Sequence, residues 1–385
     1  MVTLLNKKKT SLMKYCCRLA EKGLGLTSPN PIVGAVITNV DGDVVATGYH
    51  RQYGGPHAEI NAIKDARQKG ITDFSDLILF VSLEPCNHYG KQPPCTEEII
   101  NAGFKNVYIG IEDPNPLVMG KGVARLREAG INVKINTAQK ECYKILADYI
   151  HYNINKMPYI TLKVAQSIDG FISTNEPKLT YLTSLTSRKK VHFIRSYSAV
   201  LVGINTILID NPILDCRLLE DEYDKKKSPK IIILDSKLQT PPNSKIFSVG
   251  KKRQIFIAYS EKLDTNIPEI KKRKELLEKQ NVILVKSPTK NRKIDLHKLL
   301  SFLALEHKIM HILVEGGGKI FSSFINANLF NRLIIFTAPI LIGDGIKAFP
   351  DVDKDRFNAI LNEYEKKYNI SDNDLISVFT KKNKS

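Results

Sequence analysis

The sequence predicts two successive α/β domains, on three observations. Its 385 residues exceed what one core comfortably holds. Residues 1–150 alternate short apolar strand signals with helical spacing, which implies a layered α/β domain. After Pro158 a fresh series of strand and helix signals begins, with no Gly/Ser linker and no internal repeat, giving a second α/β domain over 151–385.

In the first domain "IVGAVITN" (32–39) is a buried apolar run, Asp41-Gly42 a hairpin signal, and "VVATGYH" (44–50) the returning strand. "AEINAIKDARQKG" (58–70) has helical spacing and closes on Gly70. "LILFVSL" (77–83) is a strand, and "TEEIINAG" (96–103) a helix with acids in its first turn and a closing glycine. "VYIGI" (107–111), "GVARLREAG" (122–130) and "INVKI" (131–135) complete a ββαβαβαβ order, and 138–156 read as one helix. In the second domain strands are expected at 159–165, 198–203, 231–235, 254–258, 282–285, 311–315, 332–337 and 375–380. Helices are expected near 184–195, 295–307 and 318–328, and 271–280 reads as a solvated helix.

Composition narrows the class. No run of about 18 apolar residues occurs, so no membrane span is expected. The N-terminal "MVTLLNKKKTSLMKY" is too short in its apolar part for a signal peptide, so a cytoplasmic protein is expected. Six cysteines in a reducing compartment do not suggest a disulfide framework, and Cys16, Cys17, Cys142 and Cys216 read as filler. The net charge of +17 suggests either a nucleic-acid or phosphate partner or a generally lysine-rich composition. The basic runs at 7–9, 225–227, 251–253 and 271–273 lie in apparent loops and on polar helix faces, without the interleaved aromatics of a single-strand groove. The second reading is favoured, with no nucleic-acid partner.

Chemistry concentrates in "GGPHAEINA" (54–62) and "LEPCNHYGKQPPCTEE" (83–98). His57 and Cys95 each follow proline at a helix start, and Cys86 lies just past a strand end. In a layered α/β domain such points converge on one sheet edge. Three N/S donors there suit Zn²⁺ with a fourth position left for water. Helix N-termini also favour thiolate over thiol. Glu59, two residues after His57, falls off the ligand face and can serve as general acid/base, as in the zinc-deaminase signature.

"NPIVGAVI" (30–37), "GYH" (48–50), "PHAE" (56–59), "EPCNHYGKQPPC" (84–95) and "EDPNPLVMGKG" (112–122) together closely resemble the riboflavin-biosynthesis bifunctional deaminase–reductases. The resemblance covers nearly the whole chain. It implies a cytidine-deaminase-like three-layer domain followed by a dihydrofolate-reductase-like α/β domain. The implied first reaction is zinc-dependent hydrolytic deamination of 2,5-diamino-6-(5-phosphoribosylamino)pyrimidin-4(3H)-one. Glu59 moves a proton from water to a ring nitrogen and then to the departing ammonia. Asn30 and His50 are candidates for orienting the ring and ribose, although Asn30 could merely set the turn before Pro31. The long loop between the cysteines brings His88 and Lys91 toward substrate.

In the second half "VEGGGKIFSSFI" (314–325) reads as strand, glycine-rich turn and helix, an arrangement that presents backbone N–H groups to phosphate. With "LKVAQSIDGFIS" (162–173), "SRKKVHFIRS" (187–196), "LVGINTILIDNPILDCR" (201–217) and "IIILDS" (231–236) it resembles the reductase half of the same family. That implies NADPH-dependent reduction of the ribosyl group, giving 5-amino-6-(5-phosphoribitylamino)uracil. By resemblance Thr206, Asp210 and Ser236 face NADPH, as does the segment Gly317, Gly318, Lys319, Ile320, Phe321, Ser322 and Ser323. Arg195, Leu214, Arg217 and Glu315 face the substrate, and the arginine forks suit its phosphate. Lys163 and Asp169 are sugar-site candidates, although Asp169-Gly170 could be only a turn.

Four positions depart from the family pattern. Tyr181 replaces a tryptophan beside the nicotinamide, Leu179 a serine on the substrate side, Gln166 a small residue on the cofactor side, and Asp215 a threonine. A weakened reductase is therefore the alternative reading. Two further rivals are a nucleic-acid-editing deaminase, which leaves the second half unexplained, and a silent zinc-stabilised scaffold, which has no use for Glu59. A homodimer or larger assembly is expected on family grounds.

Overall fold

The computed structural model describes residues 2–89, 93–116, 118–175, 181–219, 228–249, 253–290 and 293–382; Lys91 and Leu179 lie outside them. The chain divides into two compact units, Met1–Met157 and Pro158–Ser385.

The first unit runs α1 (Val2–Glu21), β1 (Gly34–Thr38), β2 (Val44–Tyr49), α2 (Ala58–Gln68), β3 (Ile78–Leu83), α3 (Cys95–Ala102), β4 (Asn106–Ile111), α4 (Lys121–Glu128), β5 (Asn132–Lys134), α5 (Gln139–Ile145) and α6 (Ala147–Asn155). Its sheet has the order β2-β1-β3-β4-β5. Strand β1 is antiparallel to both β2 and β3, so β2 points the same way as β3, and β4 and β5 run parallel to β3. The carboxyl ends of β2 and β3 therefore share one edge, where α2 begins and where the chain leaves β3 toward α3. Apolar faces of the strands and of α2, including Ile37, Ile63, Leu79 and Ile109, fill the core beside the sheet. Gly48 lets α2 approach closely: a Cβ there would sit 2.3 Å from the Ala58 carbonyl oxygen and from the Ala62 nitrogen.

Two features of this unit depart from the sequence reading. Helix α1 was not anticipated; it buries Met13, Cys16, Leu19 and Ala20, and those contacts hold it where its lysine run hides the apolar stripe. The expected helix over 138–156 breaks at the fully buried Leu146 into α5 and α6. The buried side chain of Tyr149, on α6, donates to Asp113 and ties that helix into the first unit.

Among the described residues, the main sheet of the second unit has nine strands in the order β11-β10-β9-β8-β14-β6-β15-β18-β17. The strands β6 (Tyr159–Ser167), β8 (Ala199–Gly203), β9 (Ile231–Leu234), β10 (Ile255–Ser260), β11 (Val282–Ser287), β14 (His311–Val314) and β15 (Arg332–Ala338) are parallel. The pair β17 (Tyr364–Ser371) and β18 (Asp374–Lys381) closes the sheet antiparallel. Short strands β7 (Phe171–Ser173) and β16 (Ile346–Lys347) pair with each other, as do β12 (Thr289–Lys290) and β13 (Lys293–Ile294). Helices α7 (Leu185–Arg195) and α8 (Ile204–Asp210) flank β8, and Gly318–Asn326 forms the helix after β14. The central strands read as unbroken apolar runs because both faces are covered. Edge strand β17 escaped sequence analysis because only its two end residues are buried, leaving no alternation to detect.

Arg253 corrects the reading of the basic runs. It is 3 % exposed, and its guanidinium donates to the carbonyl oxygens of Pro229, Ile213 and Leu214.

Candidate metal centre and cofactor edge

His57 caps the start of α2, Cys86 follows β3 by three residues, and Cys95 opens α3. The shared sheet edge brings all three together. Nδ1 of His57 lies 3.2 Å from Cys95 Sγ and 3.5 Å from Cys86 Sγ, and the three donor atoms fall within 4.8 Å of one another. The Cys95 backbone N–H donates to Cys86 Sγ at 3.4 Å. The hydrogen bond from Cys95, aided by His57 against burial, lowers the Cys86 thiol to about 4, while the same bond and burial raise Cys95. The hydrogen bond with Cys86 raises the His57 imidazole despite burial. One imidazole and two sulfurs, drawn together and partly buried, fit a tetrahedral zinc with one position free for water. Among the described residues this cluster holds three donors.

Glu59 lies in the first turn of α2 and is 3 % exposed. Burial pushes its carboxyl up to about 7, against the opposing pull of His57, and it shares a hydrogen bond with Cys95. It is thus a buried carboxyl beside the three-donor cluster. His50 stands edge-on to His57 with ring centroids 5.1 Å apart; its Nδ1 bonds the Pro56 carbonyl, and burial lowers its pKa. Asn30 Nδ2 reaches His50 Nε2 at 3.4 Å, so the structure gathers Asn30 and His50 beside the cluster. His88 is exposed on the loop after Cys86. Asn61, missed in the sequence, clamps this corner by donating to the carbonyls of Tyr49 and Pro56.

In the second unit the cofactor-side candidates follow the carboxyl ends of neighbouring parallel strands. Ser236 comes after β9, Thr206 and Asp210 lie on α8 after β8, Gly317 and Gly318 follow β14, and Gln166 is near the end of β6. That edge is where open parallel sheets bind ligands. Gly317 caps the helix Gly318–Asn326 without a side-chain cap, which leaves first-turn N–H groups for an anion. Lys319, Ile320 and Ser323 are on the less covered side of that helix, while Phe321 and Ser322 turn inward, Ser322 bonding the Gly318 carbonyl. Tyr181 is exposed, with the Arg188 guanidinium 4.3 Å from its ring centroid.

The substrate-side candidates form a charge cluster. Arg195, the last residue of α7, grips Glu315 in a bidentate pair at 2.5 and 2.8 Å and also donates to the Asp215 carbonyl. Burial lowers the pKa of Lys163, and the nearby charge of Glu315 opposes that shift. Arg217 is half-exposed and held by the Asp215 carboxylate at 2.7 Å. Leu214 is buried in a left-handed backbone conformation, φ 54°. Asp169 is taken up locally: it accepts from the Ser167 hydroxyl and from the N–H groups of Ile342 and Gly343.

The comparisons agree with both units. Residues 6–111 match the cytidine and deoxycytidylate deaminase zinc-binding region, and residues 158–371 match the RibD C-terminal domain. The riboflavin biosynthesis protein RibD of Aquifex aeolicus is 38 % identical over 335 residues, 87 % of this chain and 88 % of its own. The Bacillus amyloliquefaciens protein of that name is 37 % identical over 361 residues, covering 90 % and 92 %. The solved structure of Acinetobacter baumannii RibD superposes with TM-score 0.83 at 30 % identity, covering 98 % of this chain and 99 % of that one. A Thermotoga maritima structure described as a diaminohydroxyphosphoribosylaminopyrimidine deaminase/5-amino-6-(5-phosphoribosylamino)uracil reductase gives 0.82 at 34 % identity, with the same coverage.

Fold and site therefore define a two-part enzyme, a zinc deaminase unit joined to a dihydrofolate-reductase-like unit. More narrowly, the chain belongs to the RibD family of bifunctional riboflavin-biosynthesis enzymes.

Proposed function

We propose that the first unit deaminates 2,5-diamino-6-(5-phosphoribosylamino)pyrimidin-4(3H)-one. The second unit reduces the resulting phosphoribosylaminouracil with NADPH to 5-amino-6-(5-phosphoribitylamino)uracil. The observation that carries the reading is the three-donor cluster of His57, Cys86 and Cys95 with the buried Glu59 beside it. These three residues are the ones we assign to zinc. Zinc, when bound, supplies the Lewis acidity that makes water a nucleophile at neutral pH. Glu59, poised near neutrality, would carry two protons of the attacking water in turn, one to the ring nitrogen and the other to the amino group, which leaves as ammonia. Neutral His50 and Asn30 orient the ring, and His88 and Lys91 complete that pocket.

In the second unit NADPH supplies the hydride. Thr206, Asp210, Ser236, Gln166, Tyr181 and the Gly317–Ser323 turn hold the cofactor along the carboxyl edge of the sheet. Lys163, Leu179, Arg195, Leu214, Arg217 and Glu315 bind and orient the sugar phosphate. The Asp215–Arg217 pair favours a slower variant of this reaction, because phosphate must compete with a carboxylate already in place.

A homo-oligomer acting on a phosphorylated pyrimidine in the cytoplasm, without nucleic acid, completes the reading. No described helix is long and apolar enough to cross a membrane. The test is to assay ammonia release and NADPH consumption separately, each with its own substrate. Both are expected, and absence of either removes that half of the proposal.

A further inference from the structure

We propose that Glu84 is a positioning residue of the metal centre, tying the turn that carries Cys86 to the start of helix α4. Glu84 sits between the end of β3 and Pro85-Cys86 and is 4 % exposed. Its carboxylate is filled by four backbone N–H groups. Oε1 accepts from Gly122 at 2.8 Å and Val123 at 3.1 Å. Oε2 accepts from Asp113 and Gly120, both at 3.0 Å. Gly122 and Val123 belong to the first turn of α4, whose own N-cap, Gly120, offers no side-chain cap. Glu84 thus caps α4 from a distant strand end, where the helix dipole also favours an anion. The approach is too close for any other residue at 122: a Cβ there would lie 2.1 Å from the Pro85 carbonyl oxygen.

The far side of Cys86 is tied as well. The Cys86 carbonyl accepts from the Thr96 N–H at 3.2 Å, and Asn87 Oδ1 accepts from the Thr96 hydroxyl at 2.9 Å. Thr96 is the neighbour of Cys95, so one sulfur's turn is fastened to α4 on one side and to the other sulfur's helix on the other. Glu84 has no free oxygen for acid–base work or metal ligation. Its effect passes through the placement of Cys86, and groups that orient metal ligands typically set metal affinity by about 10- to 100-fold.

This inference rests on the three-donor cluster being the zinc site, and the experiment separates the two. Zinc release from the full chain is timed with the colorimetric chelator 4-(2-pyridylazo)resorcinol, and melting is recorded with and without zinc. In Glu84→Gln one amide NH₂ faces backbone donors, so two N–H groups lose their acceptor. The expected result is zinc release faster by about 10- to 100-fold and a smaller gap between zinc-loaded and zinc-free melting temperatures. Val123→Ala removes core volume from the same helix but keeps all four amides; it should lower both melting temperatures without speeding release. Native-rate release in Glu84→Gln, or equally fast release in Val123→Ala, overturns the proposal. If Glu84→Gln does not fold, Glu84→Asp, which keeps the charge but cannot span all four amides, is judged by the same outcomes. Full zinc retention in Cys95→Ser would instead overturn the zinc-site reading itself.

Discussion

The two candidate sites treat charge in opposite ways. The first gathers an imidazole and two sulfurs at one sheet edge, and burial pushes the carboxyl beside them up to about 7. The second pairs its charges internally, with Arg195 locked on the buried Glu315 and the half-exposed Arg217 on Asp215. The first site is thus completed by an ion. On the proposed reading, the second binds its ligands with strand-end backbone and the few donors its ion pairs leave over. Perturbations should therefore act on one half at a time, and by different physics.

The largest effect is expected at Glu59. Glu59→Gln should keep zinc, lower ammonia release by about 10²- to 10⁴-fold, and leave NADPH consumption with the deaminated substrate unchanged. Native-rate ammonia release would break the comparison at its first term. Arg195→Met comes next. It strands Glu315, 8 % exposed at its side chain, without its partner. Loss of one member of a buried pair costs about 3–5 kcal/mol, so calorimetry should show the second unit melting earlier while ammonia release persists. Equal loss of both activities would mean the sites are not separate.

A pH test sharpens the contrast. His311 is buried between Thr161 and Ser198, and burial, with Arg332 nearby, holds its pKa down at about 3. Its unfolded pKa is about 6.5. The folded value lies below the unfolded one, so acid favours the unfolded chain. This stability is complete above about pH 6.5 and falls as pH drops toward 3, by up to about 1.4 kcal/mol per pH unit. Urea titrations of the native chain and of His311→Gln at pH 7 and pH 5 should show the steeper acid loss in the native chain.

The smallest effect is expected at Asp215. Exposed pairs are worth under about 1 kcal/mol. Asp215→Asn should therefore lower the KM of reduction by no more than about fivefold, and a rise would show that Asp215 assists phosphate binding.

What the sequence disclosed follows from how local each signal is. His57, Cys86 and Cys95 were legible because each stands at an element boundary, all three directly behind prolines, and their residue types admit few alternatives. The parallel strands of the second unit were legible as apolar runs. Glu84 was not, because its four partners lie 29 to 39 residues away and an acid before Pro-Cys carries no periodic mark. Arg253 hid in a run that reads as solvent-exposed charge, although its acceptors are carbonyls brought in by the loop before β9. Helix α1 hid because its lysines dilute the apolar stripe that packs on the sheet.

The central claim is that the deaminase half needs the ion held by His57, Cys86 and Cys95 and the reductase half does not. The direct measurement strips zinc from the full chain with a chelator and follows each half-reaction with its own substrate. Ammonia release should stop and return on adding zinc, while NADPH consumption continues at its original rate. Continued ammonia release from zinc-free protein, or parallel loss of both reactions, would contradict the claim.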